Sequence, residues 1–230
     1  MQAVILAAGR GTRMGTLTET LPKPLLEVAG KTLIENELDI LPDEIDEVII
    51  VVGYLGSVIQ QRLGGQYRGK RLLYVEQDVL DGTAGALWRA APVLKERFLV
   101  LMSDDMYTRG DAERIIAKKD WALLVQYTDH MNPGGRIVTN HDGEVIAIKE
   151  GKHEGTSGLA GTNMFVLDTR LFAYPMIPKS EGSDEYGLPQ TVLAASKESG
   201  IPFEIERATF WFQISDANDL QKAEAVIASR

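Results

Sequence analysis

The sequence LAAGRGTRMG, residues 6–15, decides the fold, because it ends an apolar strand in a loop of small and basic residues. The strand is predicted over Gln2–Ala7. Ligands of parallel sheets bind beyond the carboxyl ends of the strands, and small residues there let the backbone approach a ligand closely. The glycines of the loop expose N–H groups that can form an anion-binding concavity, and Arg10 and Arg13 add charge-assisted donors. The stretch therefore predicts an anion-binding loop at the edge of a parallel sheet.

Beyond this loop, apolar runs such as Glu47–Val52 and Phe98–Met102 alternate with stretches of helical length up to about residue 130. Strands that alternate with helices imply βαβ units and a mostly parallel sheet. The pattern then changes, because NHDG at residues 140–143 separates two short strands and predicts a hairpin. A later helix is predicted over Tyr186–Ser199. We expect an α/β fold, a Rossmann-like and mostly parallel sheet flanked by helices, with a small lobe that contains the hairpin.

Charge and composition exclude several classes of function. The 230 residues carry a formal net charge of −9 and no cysteine, so disulfide frameworks, zinc–thiolate sites, iron–sulfur clusters and thiol nucleophiles are ruled out. The longest run without a charged side chain, Val48–Gln61, is shorter than the roughly 20 apolar residues that span a bilayer, and an acidic chain binds nucleic acid poorly. The N-terminus has neither a basic region nor a cleavage signal, so we expect a cytoplasmic protein with no membrane and no nucleic-acid partner. Residues 1–31 nevertheless hold more basic than acidic side chains, which favours an anion there.

Three phosphate-binding patterns compete for the glycine loop. A dinucleotide fingerprint needs an acidic residue at the end of the second strand, whereas Glu47–Val52 ends in valine and glycine follows. A Walker loop needs Lys after its last glycine, where this chain has Thr16. The remaining pattern is a triphosphate cradle in which Arg10, Arg13 and Lys23 are spaced along the loop, with prolines on both sides of Lys23.

Two consecutive motifs, LAAGRGTRM at residues 6–14 and LPKPLLEVAGKTLIE at residues 21–35, resemble the signature of sugar-1-phosphate nucleotidyltransferases. These pyrophosphorylases make nucleotide sugars on a Rossmann-like fold, and the motifs here are most similar to those of N-acetylglucosamine-1-phosphate uridylyltransferase-like and mannose-1-phosphate guanylyltransferase-like members. The resemblance implies that Arg13 and Lys23 are the catalytic residues that bind and activate the triphosphate. It also implies that the nucleotide is bound by Leu6, Ala7, Ala8, Gly9, Arg10, Gly11 and Thr12.

A second loop, DGTAGAL at residues 81–87, resembles the family's second nucleotide-binding loop. The resemblance implies that Gly82 and Thr83 lie under the base, and that Gln77 reads the pyrimidine edge. A Gln amide can donate and accept hydrogen bonds in one plane, which suits uracil. We therefore expect UTP or dTTP as the nucleotide.

The metal site implied by the resemblance departs from the family's pattern at one position. FLVLMSDDMY, residues 98–107, resembles the strand that ends at a metal-binding Asp, here Asp104, and Mg²⁺ prefers such hard oxygen ligands. Asp105 points to the other side of an extended chain. WFQISDANDL, residues 211–220, resembles the segment with the second metal-binding Asp, where this chain has Gln213. We expect Mg²⁺ as the cofactor, held by Asp104 and by the uncharged Gln213.

The second half of the chain resembles the family's sugar site more loosely. GGRIV at residues 134–138 and IAIKEGK at residues 146–152 are similar to its sugar-binding hairpin, and DEYGLPQ at residues 184–190 lies where relatives place a sugar-contacting acid. The resemblance implies that Gly135 makes a close backbone contact with the sugar and that Glu150 accepts hydrogen bonds from its hydroxyls. It also implies that Lys152 neutralises the sugar phosphate and that Glu185 is a further acid in contact with the sugar.

We expect a Mg²⁺-dependent enzyme, a nucleotidyltransferase that joins a nucleoside triphosphate and a sugar 1-phosphate to give a nucleotide sugar and pyrophosphate. One alternative is a cytidylyltransferase that acts on phosphocholine or another non-sugar phosphate, which shares the glycine loop. Another is a nucleotide-sugar-binding regulator without turnover, suggested by Gln213. We expect a single domain over residues 1–230, with a nucleotide-binding half of about 1–130 and a sugar-binding half of about 131–230. Self-association into a homo-oligomer stays open.

Overall fold

The computed structural model describes residues 1–153 and 155–228, which build a central ten-stranded sheet with helices on both faces. In chain order the strands are β1 (Gln2–Ala7), β2 (Glu27–Val28), β3 (Lys31–Thr32), β4 (Glu47–Val52), β5 (Gln66–Tyr67), β6 (Lys70–Glu76), β7 (Arg97–Met102), β8 (Asp105–Met106), β9 (Trp121–Thr128), β10 (Gly134–Thr139), β11 (Val145–Gly151), β12 (Gly158–Asp168), β13 (Phe203–Arg207) and β14 (Phe212–Gln213). The helices are α1 (Leu33–Asp39), α2 (Gly56–Leu63), α3 (Thr83–Ala90), α4 (Arg109–Ile116), α5 (Leu188–Ser199) and α6 (Ala217–Ala228). Short 3₁₀ turns cover Thr12–Thr18, Lys23–Leu25, Ala91–Val93 and Thr169–Ala173.

The sheet is parallel at its centre and becomes mixed beyond β7, where β13 is again parallel to its neighbour β9. The strands β6, β4, β1 and β7 are neighbours in that order and all run parallel. β12 continues the sheet antiparallel to β7, and β9 runs antiparallel to β12. The predicted hairpin is β10–β11, which pairs with β12 and so extends the same sheet. The predicted α/β fold with its parallel centre is confirmed.

β1 lies at the centre of the sheet because both of its faces are apolar. Val4 packs in the layer that contains Leu87 of α3, whereas Ile5 packs in the opposite layer with Leu38 of α1. Successive side chains of a strand point to opposite faces, so one short run supplies both core layers. The loop that follows β1 is therefore anchored by a fully buried strand.

The carboxyl ends of the parallel strands meet at one edge of the sheet, and backbone hydrogen bonds hold the loops there together. The N–H of Ser103, just after β7, donates to the carbonyl oxygen of Leu6 at 3.2 Å. The N–H of Tyr54, just after β4, donates to the carbonyl oxygen of Ala8 at 3.1 Å. Because the strands run parallel, the glycine loop, Gln77 and Asp104 all arrive at this edge.

The helices are short, and one of them begins later than the sequence predicts. α5 begins at Leu188 because the N–H of Tyr186 donates to the carbonyl oxygen of Asp81 at 2.7 Å and its carbonyl oxygen accepts from the N–H of Ala84 at 3.1 Å. The carbonyl oxygen of Tyr186 is thus paired with the first turn of α3, and the first helical hydrogen bond runs from the N–H of Thr191 to the carbonyl oxygen of Gly187 at 3.0 Å. Among the residues that the structure describes, no helix has the length and the apolar character to cross a membrane.

Candidate active site

A cavity of about 580 Å³ opens where the parallel strands end. Most of the residues that the sequence predicts for the site line it, from seven separate segments of the chain. They are Leu6, Ala8, Gly9, Arg10, Gly11, Thr12, Arg13, Lys23, Gln77, Gly82, Thr83, Asp104, Glu150, Glu185 and Gln213. Ala7 is buried within β1 and lines neither this cavity nor its neighbour, because its side chain belongs to the core.

A second cavity of about 710 Å³ adjoins the first and includes the predicted Gly135 in its wall. The residues that line both cavities are Arg13, Glu150, Asn163, Lys179, Gln213 and Ser215. Asn163, Lys179 and Ser215 are not among the residues that the sequence predicts for the site, although Ser215 belongs to the motif at residues 211–220. Two cavities with a common wall can hold two ligands in contact, which a reaction between two bound molecules requires.

Lys23 is held at the glycine loop by an ion pair with Asp104. The Nζ atom of Lys23 lies 2.5 Å from Oδ2 of Asp104, and the Lys23 side chain is only 8% exposed. Gly11 has a φ of 63°, and a Cβ there would lie 3.0 Å from the Cβ of Lys23, so glycine lets the loop close over the lysine. Both members of the pair line the cavity, so a phosphate can compete for Lys23 and a cation can compete for Asp104.

Asp105 is turned away from the cavity, although it follows Asp104 directly. Its side chain is buried and accepts hydrogen bonds from Nε1 of Trp211 at 3.0 Å and from the hydroxyl of Tyr107 at 3.3 Å. Burial, and after it the charge of Asp104, raises the pKa of Asp105 well above its usual value. Asp104 is therefore the carboxylate at this strand end that faces the cavity.

β14 brings Gln213 beside that strand end. Gln213 pairs with Asp105 in the antiparallel β8–β14 ladder, and the N–H of Ile214 donates to the carbonyl oxygen of Asp104 at 3.0 Å. Among the described residues, no cluster of three or more His, Cys, Asp or Glu side chains could hold a metal ion alone. At this strand end the cavity wall holds the carboxylate of Asp104 and the amide of Gln213, whose hard oxygen donors suit a divalent cation when phosphate oxygens complete the set.

Glu37 is a buried acid near this site that the sequence does not reveal. It lies on α1, is 1% exposed and has one carboxylate oxygen without a hydrogen-bond partner. Burial raises the pKa of Glu37 well above its usual value, and the nearby charges of Asp105 and Asp104 raise it further. In the sequence LIENELD, Glu37 resembles the other acids of an exposed helix face, so only the packing of α1 against β8 identifies it.

Gln77 is buried beside the loop that begins DGT at residues 81–83, termed the base loop after the role that the resemblance implies, and its partners fix the orientation of its amide. Nε2 of Gln77 donates to Oδ1 of Asp81 at 2.8 Å and to the carbonyl oxygen of Gly82 at 3.2 Å. Because a carboxylate and a carbonyl both accept, the amide nitrogen must face the loop, which leaves the amide oxygen for a ligand. Gln77 thus presents an acceptor to the cavity, whereas the sequence suggests a combined donor and acceptor.

A strap formed by residues 177–188 is clamped onto the base loop by the hydrogen bonds of Tyr186 with Asp81 and Ala84. Gly82 has a φ of 99°, and a Cβ there would lie 2.7 Å from the nitrogen of Tyr186 and closer still to its carbonyl oxygen. A side chain at this position would force the strap away from the loop. The strap also supplies Glu185 to the wall of the first cavity.

Glu150 lies at the boundary of the two cavities, where its neighbours orient the carboxylate. Oε1 of Glu150 accepts a hydrogen bond from Nε2 of Gln190 at 2.8 Å. Gly135 is paired with Glu150 in the β10–β11 ladder, and a Cβ on Gly135 would lie 3.0 Å from that oxygen. The carboxylate is exposed apart from these contacts and can accept from hydroxyl groups.

The structure does not bring Lys152 to either cavity. β11 ends at Gly151, and Lys152 is exposed beyond the end of the strand. The resemblance assigns Lys152 to the sugar site only because it follows Glu150 by two residues. Sequence spacing does not show that the hairpin strand ends between these two residues, at Gly151. Lys179 of the strap lines both cavities instead.

The glycine loop at the carboxyl ends of the parallel strands and the two adjoining cavities define a class, an α/β protein with room for two ligands in contact. Residues 2–229 match the family model described as nucleotidyl transferase, and the chain therefore belongs to that family. The predicted family and the predicted class of enzyme, a transferase of nucleotidyl groups, are confirmed.

Relatives and solved structures match most of the chain. A UTP–glucose-1-phosphate uridylyltransferase, AglF, from Haloferax volcanii is 30% identical, over 84% of this chain and 82% of its own length. The bifunctional protein GlmU from Methanocaldococcus jannaschii is 24% identical over 100% of this chain and 55% of its own length, so the chain spans about half the length of that relative. A crystal structure from Bacillus anthracis, provisionally described as a glucose-1-phosphate thymidylyltransferase, has a TM-score of 0.85 at 23% identity and covers 98% of this chain and 95% of its own. HddC from Yersinia pseudotuberculosis shares the fold with a TM-score of 0.77 at 21% identity, covering 98% of this chain and 99% of its own.

Proposed function

We propose that this chain joins a nucleoside triphosphate to a sugar 1-phosphate and releases pyrophosphate. The relatives from Haloferax volcanii and Synechocystis are both described as UTP–glucose-1-phosphate uridylyltransferases. The observation that carries the proposal is the pair of adjoining cavities, which share Arg13 and Glu150 at their boundary. A nucleotide in the first cavity and a sugar phosphate in the second would meet there.

The reaction exchanges one phosphorus–oxygen bond for another. An oxygen of the sugar phosphate forms a bond to the α-phosphorus, while the bond from the α-phosphorus to the oxygen shared with the β-phosphorus breaks. The electron pair of the broken bond leaves with pyrophosphate. Positioning and charge neutralisation dominate such transfers. Arg13 and Lys23 stabilise the charge on the phosphate oxygens, and Lys23 exchanges its contact with Asp104 for a contact with phosphate.

We propose Mg²⁺ as the cofactor, held by Asp104, by the amide oxygen of Gln213 and by phosphate oxygens. When bound, the ion supplies positive charge beside the phosphates. The variant Gln213→Asp adds a negative charge at the site and should tighten Mg²⁺ binding to the free protein, measured by calorimetric titration. Gln60→Asp adds the same charge on the exposed face of α2 and is the matched control. Equal Mg²⁺ affinities in the two variants would contradict the proposed ligand.

We propose UTP or dTTP as the nucleotide, on the orientation of Gln77. Its free amide oxygen suits uracil and thymine, whose N3 carries a hydrogen, and opposes cytosine, whose N3 is itself an acceptor. Competition binding among UTP, dTTP, CTP, GTP and ATP should rank CTP below UTP. Equal or tighter binding of CTP would refute this interpretation of Gln77.

A cytidylyltransferase acting on phosphocholine is the second candidate, because four aromatic residues line the second cavity. They are Tyr127, Phe210, Trp211 and Phe212. Aromatic faces attract quaternary ammonium groups. The acceptor that Gln77 presents to the base opposes CTP, so the sugar reaction is favoured.

Pyrophosphate release decides between these functions. The protein is mixed with Mg²⁺, each of the five nucleoside triphosphates, and glucose 1-phosphate, N-acetylglucosamine 1-phosphate, mannose 1-phosphate or phosphocholine. We expect release with UTP or dTTP and a sugar 1-phosphate, and a strong loss in the folded variant Arg13→Ala. Release confined to CTP and phosphocholine would establish the second candidate. Nucleotide binding without release in any mixture would support a regulator and overturn the proposal.

The proposed substrates also suggest the cellular compartment of the reaction and a division of the chain into two halves. Nucleoside triphosphates and sugar phosphates are cytoplasmic metabolites, so we propose the cytoplasm as the place of the reaction. The first cavity takes most of its wall from residues 6–104, and the second takes all but one of its wall residues from 126–222. This distribution supports a nucleotide-binding half followed by a sugar-binding half.

A further inference from the structure

The boundary between the two cavities carries a lysine that the proposed reaction leaves without a role. Lys179 lines both cavities, and the other charged residues of their common wall are Arg13 and Glu150. A group at this boundary can reach a ligand in either cavity. Lys179 is therefore placed where the two substrates of the proposed reaction would meet.

The ammonium group of Lys179 is available to a ligand. Within the part of the chain that the structure describes, its side chain has neither a hydrogen-bond nor an ion-pair partner. Two other lysines of these cavities are paired, Lys23 with Asp104 and Lys222 with Asp219 at 3.5 Å. A cation that has no protein partner in the wall of a cavity attracts an anion.

The backbone of Lys179 is held in place by hydrogen bonds within the strap. Its N–H donates to the carbonyl oxygen of Glu185 at 2.8 Å, and the adjacent Pro178 forms a bridge with Tyr186. The N–H of Tyr186 in turn donates to the carbonyl oxygen of Asp81 in the base loop. The position of this cation is thus tied to the loop that holds the nucleotide base.

We propose that Lys179 binds the phosphate group of the sugar 1-phosphate and neutralises it as it approaches the triphosphate. The inference rests on the proposed function, and it moves to the strap the role that the resemblance implies for Lys152. Two phosphate anions that must come into contact repel each other, and a cation at their boundary removes part of that repulsion. Arg13 lies on the same wall, but it belongs to the glycine loop and serves the triphosphate.

The test compares Lys179→Gln with Lys179→Arg and with Lys197→Gln, which removes the same charge from the exposed end of α5. With UTP and glucose 1-phosphate as substrates, Lys179→Gln should raise KM for glucose 1-phosphate roughly 10- to 100-fold, as loss of one charge-assisted hydrogen bond does. KM for UTP should change less than about twofold, because the nucleotide phosphates have their own cations. Lys179→Arg should restore most of the affinity, since it keeps the charge. Lys197→Gln should match the unmodified protein.

Direct binding separates this inference from the proposed reaction. Titrations of glucose 1-phosphate and of glucose, followed by NMR, need no turnover. We expect the unmodified protein to prefer the phosphorylated sugar and Lys179→Gln to lose that preference. The inference is overturned if Lys179→Gln keeps the preference, if KM for UTP rises instead, or if Lys152→Gln shows the larger effect. Absence of pyrophosphate release with every substrate pair, together with a preference that depends on Lys179, would refute the proposed reaction and leave the phosphate site standing.

Discussion

The close contact between Gly82 and the strap predicts that an alanine at residue 82 destabilises the protein in two ways, by backbone strain and by displacing the strap. A comparison with Gly64 separates the two effects. Gly82 has φ 99° and ψ −175°, a conformation that is almost exclusive to glycine. Gly64, at the end of α2, has the similar values φ 67° and ψ −153°, but a Cβ there would have no atom within 4 Å. The variants Gly82→Ala and Gly64→Ala therefore share the strain, and only Gly82→Ala collides with Tyr186.

The expected magnitudes follow from these contacts. Strain in this backbone region costs on the order of 1–3 kcal/mol and should reduce the free energy of unfolding of both variants. In Gly82→Ala the new Cβ also separates Tyr186 from Asp81 and Ala84, and two hydrogen bonds are lost at about 0.5–1.5 kcal/mol each. Gly82→Ala should therefore be less stable than Gly64→Ala by roughly 1–3 kcal/mol.

Function should separate the two variants more clearly than stability does. Displacing the strap moves Glu185 and Lys179 away from the cavities, so Gly82→Ala should raise KM for both the nucleotide and the sugar phosphate. Gly64→Ala, which lies outside both cavities, should keep both KM values. Urea denaturation and steady-state pyrophosphate release measure the two effects. If the two variants agree in stability and in both KM values, the strap does not position the site.

Three further predictions concern the charged groups around Asp104. Lys23→Ala should lower turnover about 100- to 1,000-fold in a folded protein, as the loss of one preorganised contact to developing charge does, and near-normal pyrophosphate release would remove Lys23 from the mechanism. Asp104→Asn should lose most activity in the same assay, because Asp104 lines the cavity. Asp105→Asn should keep most of it, because the side chain of Asp105 is buried against Trp211 and Tyr107; the opposite order would place the metal ligand at residue 105. Folding raises the pKa of Glu37 above its usual value of 4.5, so the folded protein binds more protons than the unfolded chain, and stability should fall as pH rises from about 4.5 towards the raised pKa. Glu37→Gln should remove the part of this decrease in the free energy of unfolding that Glu37 causes. Urea denaturation of the unmodified protein and the variant at pH 5 and pH 8 measures it. An equal decrease in both proteins would show that Glu37 does not contribute to it.

Several elements of the fold can be predicted from the sequence because their causes are local. The apolar run of β1 is apparent from its own residues, and NHDG at residues 140–143 predicts the turn of the β10–β11 hairpin. The start of α5 cannot be predicted in this way. Tyr186 has its backbone groups paired with a loop about a hundred residues earlier, and no local pattern reports that pairing.

The residues of the candidate site also fall into those that local sequence predicts and those that only long-range contacts place. The sequence by itself predicts the glycine loop with Arg13 and Lys23, and the strand β7 that leads to Asp104, because a strand end and the loop after it lie next to each other in the chain. Only the tertiary structure decided that Lys179 rather than Lys152 lines the cavities and that Glu37 is a buried acid. The physical reason is that burial and ion pairing depend on which strands are neighbours in the sheet. The order β6-β4-β1-β7-β12 is set by packing of the whole chain, and that order brings Lys23 to Asp104 across 81 residues of sequence.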